Sequence, residues 1–323
     1  MTHYAANLES IREAARRIEG HVHRTPVLTS RTLDGLAGRS LFFKCENLQR
    51  VGAFKMRGAL NAVLSLSDAD AASGVVTHSS GNFAQAVALS AQIRGIPAHI
   101  VMPSNAPEVK RRAVAGYGAT IIPCEPTLEA RETTANRVQS ETGATLLHPY
   151  DQDEVIAGQG TTALELFEQA PDLDAIVVPV GGGGLLSGIT LAYRELNPAV
   201  RMYAAEPLGA DDAYRSKAAG ELILQTSPNT IADGLLTSLG ERTWPVIRDC
   251  VDEIIRVDDD QIMHAMRLMW ERMKTVIEPS AATSVAAVLS DRFRQLEGLE
   301  RVGVLLTGGN VDLDSLPWMQ PGS

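Results

Sequence analysis

Short runs of β-branched and other apolar residues alternate along the chain with longer stretches in which apolar positions recur every three to four residues. Runs of the first kind read as strands buried on both faces. The second kind reads as amphipathic helices that cover them, the pattern of parallel sheets linked by helical crossovers. Strands are expected over 41–46 (LFFKCE), 74–79 (GVVTHS), 98–103 (AHIVMP), 119–125 (ATIIPCE), 174–181 (DAIVVPVG), 201–207 (RMYAAEP), 253–257 (EIIRV) and 302–309 (VGVLLTGG). Helices are expected over 82–94, 108–116, 128–142, 154–170 and 259–274. The alternation is compact and self-contained from residue 71 to about 143, whereas the segment ending near Arg57 has no sheet of its own. The pattern therefore predicts a small domain, 71–143, inserted into a larger discontinuous one, 1–70 and 144–323. There is no repeat of fixed period and no Pro/Ser-rich linker.

Composition narrows the partners. A chain of 323 residues with 45% hydrophobic and 21% charged positions is that of an ordered protein long enough for two cores. Twenty-nine Lys and Arg against 39 Asp and Glu give a net charge of −10, which disfavours nucleic acid and anionic lipid as partners. Cys45, Cys124 and Cys250 are scattered and form neither a CxxC pair nor a disulfide framework, as in a reducing compartment. The first twenty residues are amphipathic and carry Glu9, Glu13 and Glu19, unlike a signal or transit peptide. No apolar run approaches the ~20 residues that span a bilayer. The expectation is a cytoplasmic protein.

Four motifs carry chemistry. Gly181, Gly182, Gly183 and Gly184 follow the buried run AIVVPV and precede a helical pattern. Glycines let backbone N–H groups converge at a helix start, which suits a phosphate; a tight turn alone needs fewer of them. In AFKMRGAL, Lys55 stands between Phe54 and Met56, where burial would lower its pKa as a Schiff-base amine requires, although a helical lysine is more often a solvated charge. In THSSGNF, Ser79, Ser80, Gly81 and Asn82 mark a strand end and helix start able to hold a carboxylate, or simply to cap the helix. LLTGGN places Thr307 at another strand end before Gly308 and Gly309. A phosphate cup, an imine lysine, a carboxylate loop and a strand-end hydroxyl are together the parts of a pyridoxal 5′-phosphate site. The seven histidines, His3, His21, His23, His78, His99, His148 and His264, show no metal-ligand spacing and no nucleophile partner.

From HRTPVLTS through AFKMRGALNAV, VVPVGGGGLLSG, YAAEP, TIADGL and MWERMKTVIEPS to TGGNVD, nearly the whole chain resembles the type II, tryptophan-synthase-β family of pyridoxal-phosphate enzymes. Within it, the likeness is to the serine racemase and serine/threonine dehydratase group. The resemblance implies two open, twisted, mostly parallel sheets flanked by helices, a homodimer and an amino-acid substrate. It implies that Lys55 carries the cofactor as a Schiff base and removes the substrate Cα proton. Phe54 would pack on the pyridine ring, Asn82 face the phenolic oxygen, the N–H groups of 181–184 hold the phosphate, and Thr307 face the pyridine nitrogen. A hydroxyl cannot protonate that nitrogen as a carboxylate would, which favours β-elimination over reactions that need a long-lived carbanion. Ser79, Gly81 and Asn82 would hold the substrate carboxylate, and Ser80 would bind the substrate from the opposite face of Cα, where it keeps racemisation open.

In EPLGADD, Glu206, Asp211 and Asp212 alone read as a solvated acidic turn. By resemblance, Glu206, the Ala210 carbonyl and Asp212 bind Mg²⁺ or Ca²⁺, hard ions that favour oxygen. Two positions depart from the family pattern: Phe83 where histidine is common, and Tyr150 where serine racemase has asparagine. Phe83 offers an apolar face to a substituent such as that of phenylserine, or it packs between domains. Arg131 and Ser238 match positions that contact the distal end of the substrate; an inward Arg131 argues for 3-hydroxyaspartate, an outward one for an ordinary surface arginine. The reading is therefore a dehydratase of a 3-hydroxy amino acid (phenylserine-like, serine/threonine or 3-hydroxyaspartate), with an extended β-substituent favoured, a serine-racemase-type enzyme as the near rival and a catalytically silent binding protein on the same scaffold as the distant one. Beyond Asn310 the chain looks too short for a regulatory domain.

Overall fold

The structure, a computed structural model, describes residues 4–106 and 108–319, with Val109 in backbone only; His3 lies outside the described residues. Among the described residues ten strands run in chain order: β1 (Val27–Leu28), β2 (Ser40–Cys45), β3 (Val75–Thr77), β4 (Ala98–Pro103), β5 (Thr120–Cys124), β6 (Thr145–Leu146), β7 (Ala175–Pro179), β8 (Arg201–Pro207), β9 (Glu253–Val257) and β10 (Arg301–Leu306). They form two sheets flanked by helices, as the hydrophobic pattern predicts. The larger has the order β1-β2-β10-β7-β8-β9, parallel except for β1 against β2. The smaller, β5-β4-β3-β6, is parallel throughout. Separate apolar cores fill the two sides of the large sheet. Every residue of β7 is buried, which explains why AIVVP shows no alternation.

Three features depart from the sequence pattern. β1 and β6 are two residues each, too short for a period to register, and β6 extends the small sheet just past residue 143. LFFKCE is not isolated: β2 pairs with β10, which comes from the other end of the chain. The expected helix 259–274 is α-helical only over Asp259–Leu268, then widens into a π turn, Met269–Met273, and Lys274 takes a left-handed φ of 56°. Wide turns of this kind redirect a chain without breaking its apolar stripe, so periodicity does not reveal them. The chain leaves this one toward Glu278. Among the described residues no helix is long and apolar enough to cross a membrane.

The helix Lys55–Ser65 is anchored by a buried ionic cluster. Arg57, 1% exposed, reaches Glu46 at 2.7 and 2.8 Å and Glu165 at 2.7 and 2.9 Å. Lys44, buried in β2, reaches Glu165 at 2.6 Å, Gln169 at 2.9 Å and the Thr25 carbonyl at 2.8 Å. Removing Arg57 would strand Glu46 as a buried acid without its paired cation. The cluster thus ties the first turn of the Lys55 helix to β2 and to the helix Asp153–Gln169.

Candidate active site

The site lies where β2, β7 and β10 end side by side, at the carboxyl ends of parallel strands. The segment before Lys55 is fastened to the end of β10: Phe54 N–H donates to the Thr307 carbonyl at 3.0 Å, Gly309 N–H donates to the Gly52 carbonyl at 2.9 Å, and Ala53 bridges Gly308. Lys55 Nζ donates to the Pro149 carbonyl at 2.7 Å and lies 5.0 Å from the Phe54 ring centroid and 5.6 Å from that of Phe83. Burial pulls its pKa down to about 8, against the opposing pull of the Glu278 carboxylate. An appreciable fraction of neutral amine is therefore present near neutral pH, as nucleophilic use requires.

The four glycines occupy a crowded turn. Gly183 adopts φ +86° as N-cap of the helix Gly184–Leu196, which has no side-chain cap, and a Cβ there would sit 2.9 Å from Thr243 Cβ. At Gly182 a Cβ would overlap the ring of Tyr150. Thr243 Oγ1 fixes the turn by donating to the Gly182 carbonyl at 2.8 Å. Backbone donors at a positive helix end, in a cradle that any Cβ would fill, fit the phosphate of pyridoxal 5′-phosphate.

The helix Asn82–Arg94 likewise begins without a side-chain cap, at Gly81, leaving first-turn N–H groups free beside Ser79 and Ser80 for a carboxylate. Phe83 is 2% exposed and packs in the core over the small sheet, so its ring meets Lys55 and apolar neighbours.

Asn82 has partners that the sequence does not announce. Its Nδ2 donates to the Glu278 carboxylate at 3.0 and 3.2 Å, and its Oδ1 accepts from Asn310 Nδ2 at 2.8 Å. Burial lifts the Glu278 pKa to about 7, Asp233 adds to the rise, and the bonds from Asn82 and Asn310 oppose it. His148 was also missed. Burial lowers its pKa to about 4, so its neutral Nδ1 accepts from Asp151 N–H at 2.8 Å and Tyr150 N–H at 3.4 Å and shapes the loop that receives Lys55. The one available clue to Glu278 is its place in the VIEPS stretch.

Arg131 and Ser238 belong to different parts of the chain, the helix Leu128–Thr142 and the segment after β8. The Nε of Arg131 is buried without a hydrogen-bond partner. His78, directly before the 79–82 loop, has a pKa lowered first by burial and then affected by Glu132 and Arg131. Ser238 Oγ accepts from Gln225 N–H at 2.8 Å. The next residue, Leu239, borders with His148 and Tyr150 a cleft of ≈ 450 Å³.

The acidic turn after β8 is not solvated. Glu206 and Asp212 are each 1% exposed and accept from backbone N–H groups: Ala213 at 2.8 Å and Tyr214 at 2.9 Å for Glu206, and Leu239 at 3.1 Å for Asp212. Asp211 instead pairs with Arg215 and Arg256. Burial raises Glu206 well above the usual carboxylate range and Asp212 to about 6, each raised further by neighbouring acids. Among the described residues no group of three or more His, Cys, Asp or Glu could hold a metal. A cation here would draw on two buried carboxylates, the Ala210 carbonyl and water, a donor set that fits Mg²⁺ or Ca²⁺.

Comparison with known proteins agrees with this geometry. Residues 18–308 match the pyridoxal-phosphate dependent enzyme family. The chain is 52% identical over 311 residues to serine racemase of Dictyostelium discoideum, covering 96% of each chain. It is 50% identical over 315 residues to β-hydroxyaspartate dehydratase of Paracoccus denitrificans, covering 98% of this chain and 99% of that one. The solved structure of maize serine racemase superposes with a TM-score of 0.96 at 53% identity, covering 98% of this chain and 97% of that one. The chain belongs to the type II fold family of pyridoxal-phosphate-dependent enzymes, in its serine racemase and dehydratase group.

Proposed function

We propose that this enzyme is a dehydratase that eliminates across Cα–Cβ of a 3-hydroxy amino acid, and that its preferred substrate carries a second carboxylate, as 3-hydroxyaspartate does. The observation that carries the substrate class is the buried, unpartnered Nε of Arg131 beside His78. A buried guanidinium N–H without an acceptor is costly, and a carboxylate satisfies it. The likeness to a β-hydroxyaspartate dehydratase supports the same choice. The burial of Phe83 leaves little ring for the aromatic substituent of phenylserine.

Pyridoxal phosphate, when bound, supplies an electron sink for charge developing at Cα. The protein does the rest. The glycine turn would hold the phosphate, Phe54 would wall the ring, and the N–H groups at 79–82 would hold the α-carboxylate. Lys55, neutral in part because burial lowers its pKa, takes the Cα proton. The proton taken from Cα balances the one that the β-hydroxyl needs, and the hydroxyl leaves as water. Hydrolysis of the released enamine takes a water back and yields a 2-oxo acid and ammonia. Mg²⁺ or Ca²⁺ at Glu206, Ala210 and Asp212 would neutralise two buried acids and brace the segment that reaches Leu239. The free thiols of Cys45, Cys124 and Cys250 support a cytoplasmic setting.

The test is a 2-oxo acid and ammonia assay of the holoenzyme with 3-hydroxyaspartate, L- and D-serine, L-threonine and threo-phenylserine. We expect the highest kcat/KM for 3-hydroxyaspartate, with Arg131→Gln lowering it at least about tenfold and leaving serine nearly unchanged. Faster turnover of phenylserine would overturn the substrate assignment. Ser80, beside the carboxylate loop, supports a second reading as a racemase. Appearance of D-serine from L-serine faster than pyruvate would establish it.

A further inference from the structure

Glu278 sits at the N-cap of the helix Pro279–Leu289 but caps nothing with its side chain. Although 5% exposed, its carboxylate instead crosses to the opposite unit. A Cβ at Gly308 would collide with it, so a glycine leaves its path open.

Hydrogen-bond bookkeeping fixes every orientation nearby. Asn310 Nδ2 donates to the Val51 carbonyl at 2.7 Å and to Asn82 Oδ1 at 2.8 Å, which occupies both of its hydrogens. Asn82 Oδ1 must then be the acceptor and its Nδ2 the donor. That donor meets Glu278 at 3.0 and 3.2 Å, and Asn310 N–H meets the same carboxylate at 3.2 Å. Glu278 faces two donors, an arrangement that only the ionised carboxylate satisfies fully. One N–H shared between its oxygens leaves the second Asn82 N–H for the pocket. Asn82 belongs to the helix leaving the small sheet; Glu278 and Asn310 flank the large one.

We propose that Glu278 is a positioning residue of this site: with Asn310 it sets the orientation of the Asn82 amide and so holds the substrate-carboxylate loop 79–82 against the large sheet. Its charge is balanced near neutrality. Asp233 pushes its pKa up with burial, Lys110 pulls it down, and Lys55 is the cation across the pocket whose own titration feels it. Lys110 and Asp233 are themselves paired at 2.8 Å across the same two units. As pH falls through about 7, protonation turns one acceptor oxygen into a donor facing donors, and the hold on Asn82 weakens.

The test uses the pyridoxal-phosphate holoenzyme and the variants Glu278→Gln and Glu278→Met, with circular dichroism confirming that each is folded. In the parent, KM for 3-hydroxyaspartate should rise as pH falls through about 7. In Glu278→Gln, which keeps one acceptor but cannot titrate, that transition should vanish. Glu278→Met should raise KM about tenfold or more while kcat changes less than about threefold, the split expected of lost ground-state positioning. Retention of the pH transition in Glu278→Gln, or a kcat loss with KM unchanged in Glu278→Met, would overturn the proposal. The KM arms rest on the substrate reading above. Should the parent eliminate none of the amino acids, that reading fails by itself, and absorbance of the bound cofactor between pH 6 and 9 decides for Glu278. A transition near pH 7 in the parent that is lost in Glu278→Gln supports it, and identical titrations refute it.

Discussion

Gly183→Ala tests the phosphate cup most directly. Gly183 holds φ +86°, a region that costs an L-residue with a Cβ roughly 1–2 kcal/mol. The new methyl would lie 2.7 Å from Ile247 Cδ1 and 2.9 Å from Thr243 Cβ. The isoleucine tip can rotate away, but Thr243 is held by its bond to the Gly182 carbonyl. Restoring ordinary contact moves turn or threonine by about 0.5 Å, an overpacking that costs about 1–3 kcal/mol. The sum is about 2–5 kcal/mol. At about 2 °C per kcal/mol for a chain of this size, Tm should fall by about 4–10 °C. Shifting the turn also spoils charge-assisted bonds to phosphate, each contributing about 1.5–3 kcal/mol, or about ten- to 150-fold in affinity. Absorbance titration of the apoprotein would compare pyridoxal 5′-phosphate with pyridoxal, which lacks the phosphate. The variant should lose affinity for the first far more than for the second. Equal losses for both, or parental affinity with an unchanged Tm, would refute the steric argument.

The remaining predictions concern other parts of the site. Lys55→Ala should abolish both the Schiff-base absorbance and turnover. In the parent apoprotein, the rate of cofactor incorporation should climb with pH and level off above about 8, since only the unprotonated amine attacks the aldehyde; a climb continuing past pH 10 would deny that burial lowers this lysine. Arg57→Met should destabilise the protein by about 3–5 kcal/mol in a denaturant melt by stranding buried Glu46, while Glu165 keeps Lys44, and a loss below about 1 kcal/mol would contradict the buried cluster. Asp212→Ala should weaken activation by Mg²⁺ or Ca²⁺, measured after chelation and metal titration; activity of the parent unaffected by chelator would dispose of the cation. Ser80→Ala should reduce racemisation of serine more than its elimination, and chiral chromatography showing equal losses would remove Ser80 from the second face.

Legibility in the sequence followed from how local each signal is. Runs such as AIVVP and EIIRV stand out because parallel strands buried on both faces need no polar alternation, and the glycine run stands out because ordinary turns do not need four. Lys55 and Asn82 could be singled out by type and by place at helix starts. Glu278 could not, because its importance arises when a π turn, a left-handed Lys274 and the bare α-carbon of Gly308 bring it to a residue 196 positions away. Glu206 and Asp212 read as a solvated turn because nothing local records that β8 and Leu239 bury them. The opposed pulls of Phe83 and Arg131 on substrate choice came from the same source, since sequence does not say which side chain turns toward the core.

The order of the large sheet also governs when this protein can first exist. β10 lies between β2 and β7, so the centre of the sheet is filled by a segment made after both of its neighbours. The small sheet, drawn from residues 75–146, has its strands together early and can assemble while synthesis continues. The lysine helix, by contrast, has no Thr307 carbonyl to dock on, and β2 has only the two-residue β1 beside it, until β10 emerges. An unpaired β2 edge therefore persists until β10 is made, and the segment before Lys55 cannot take its final place before then.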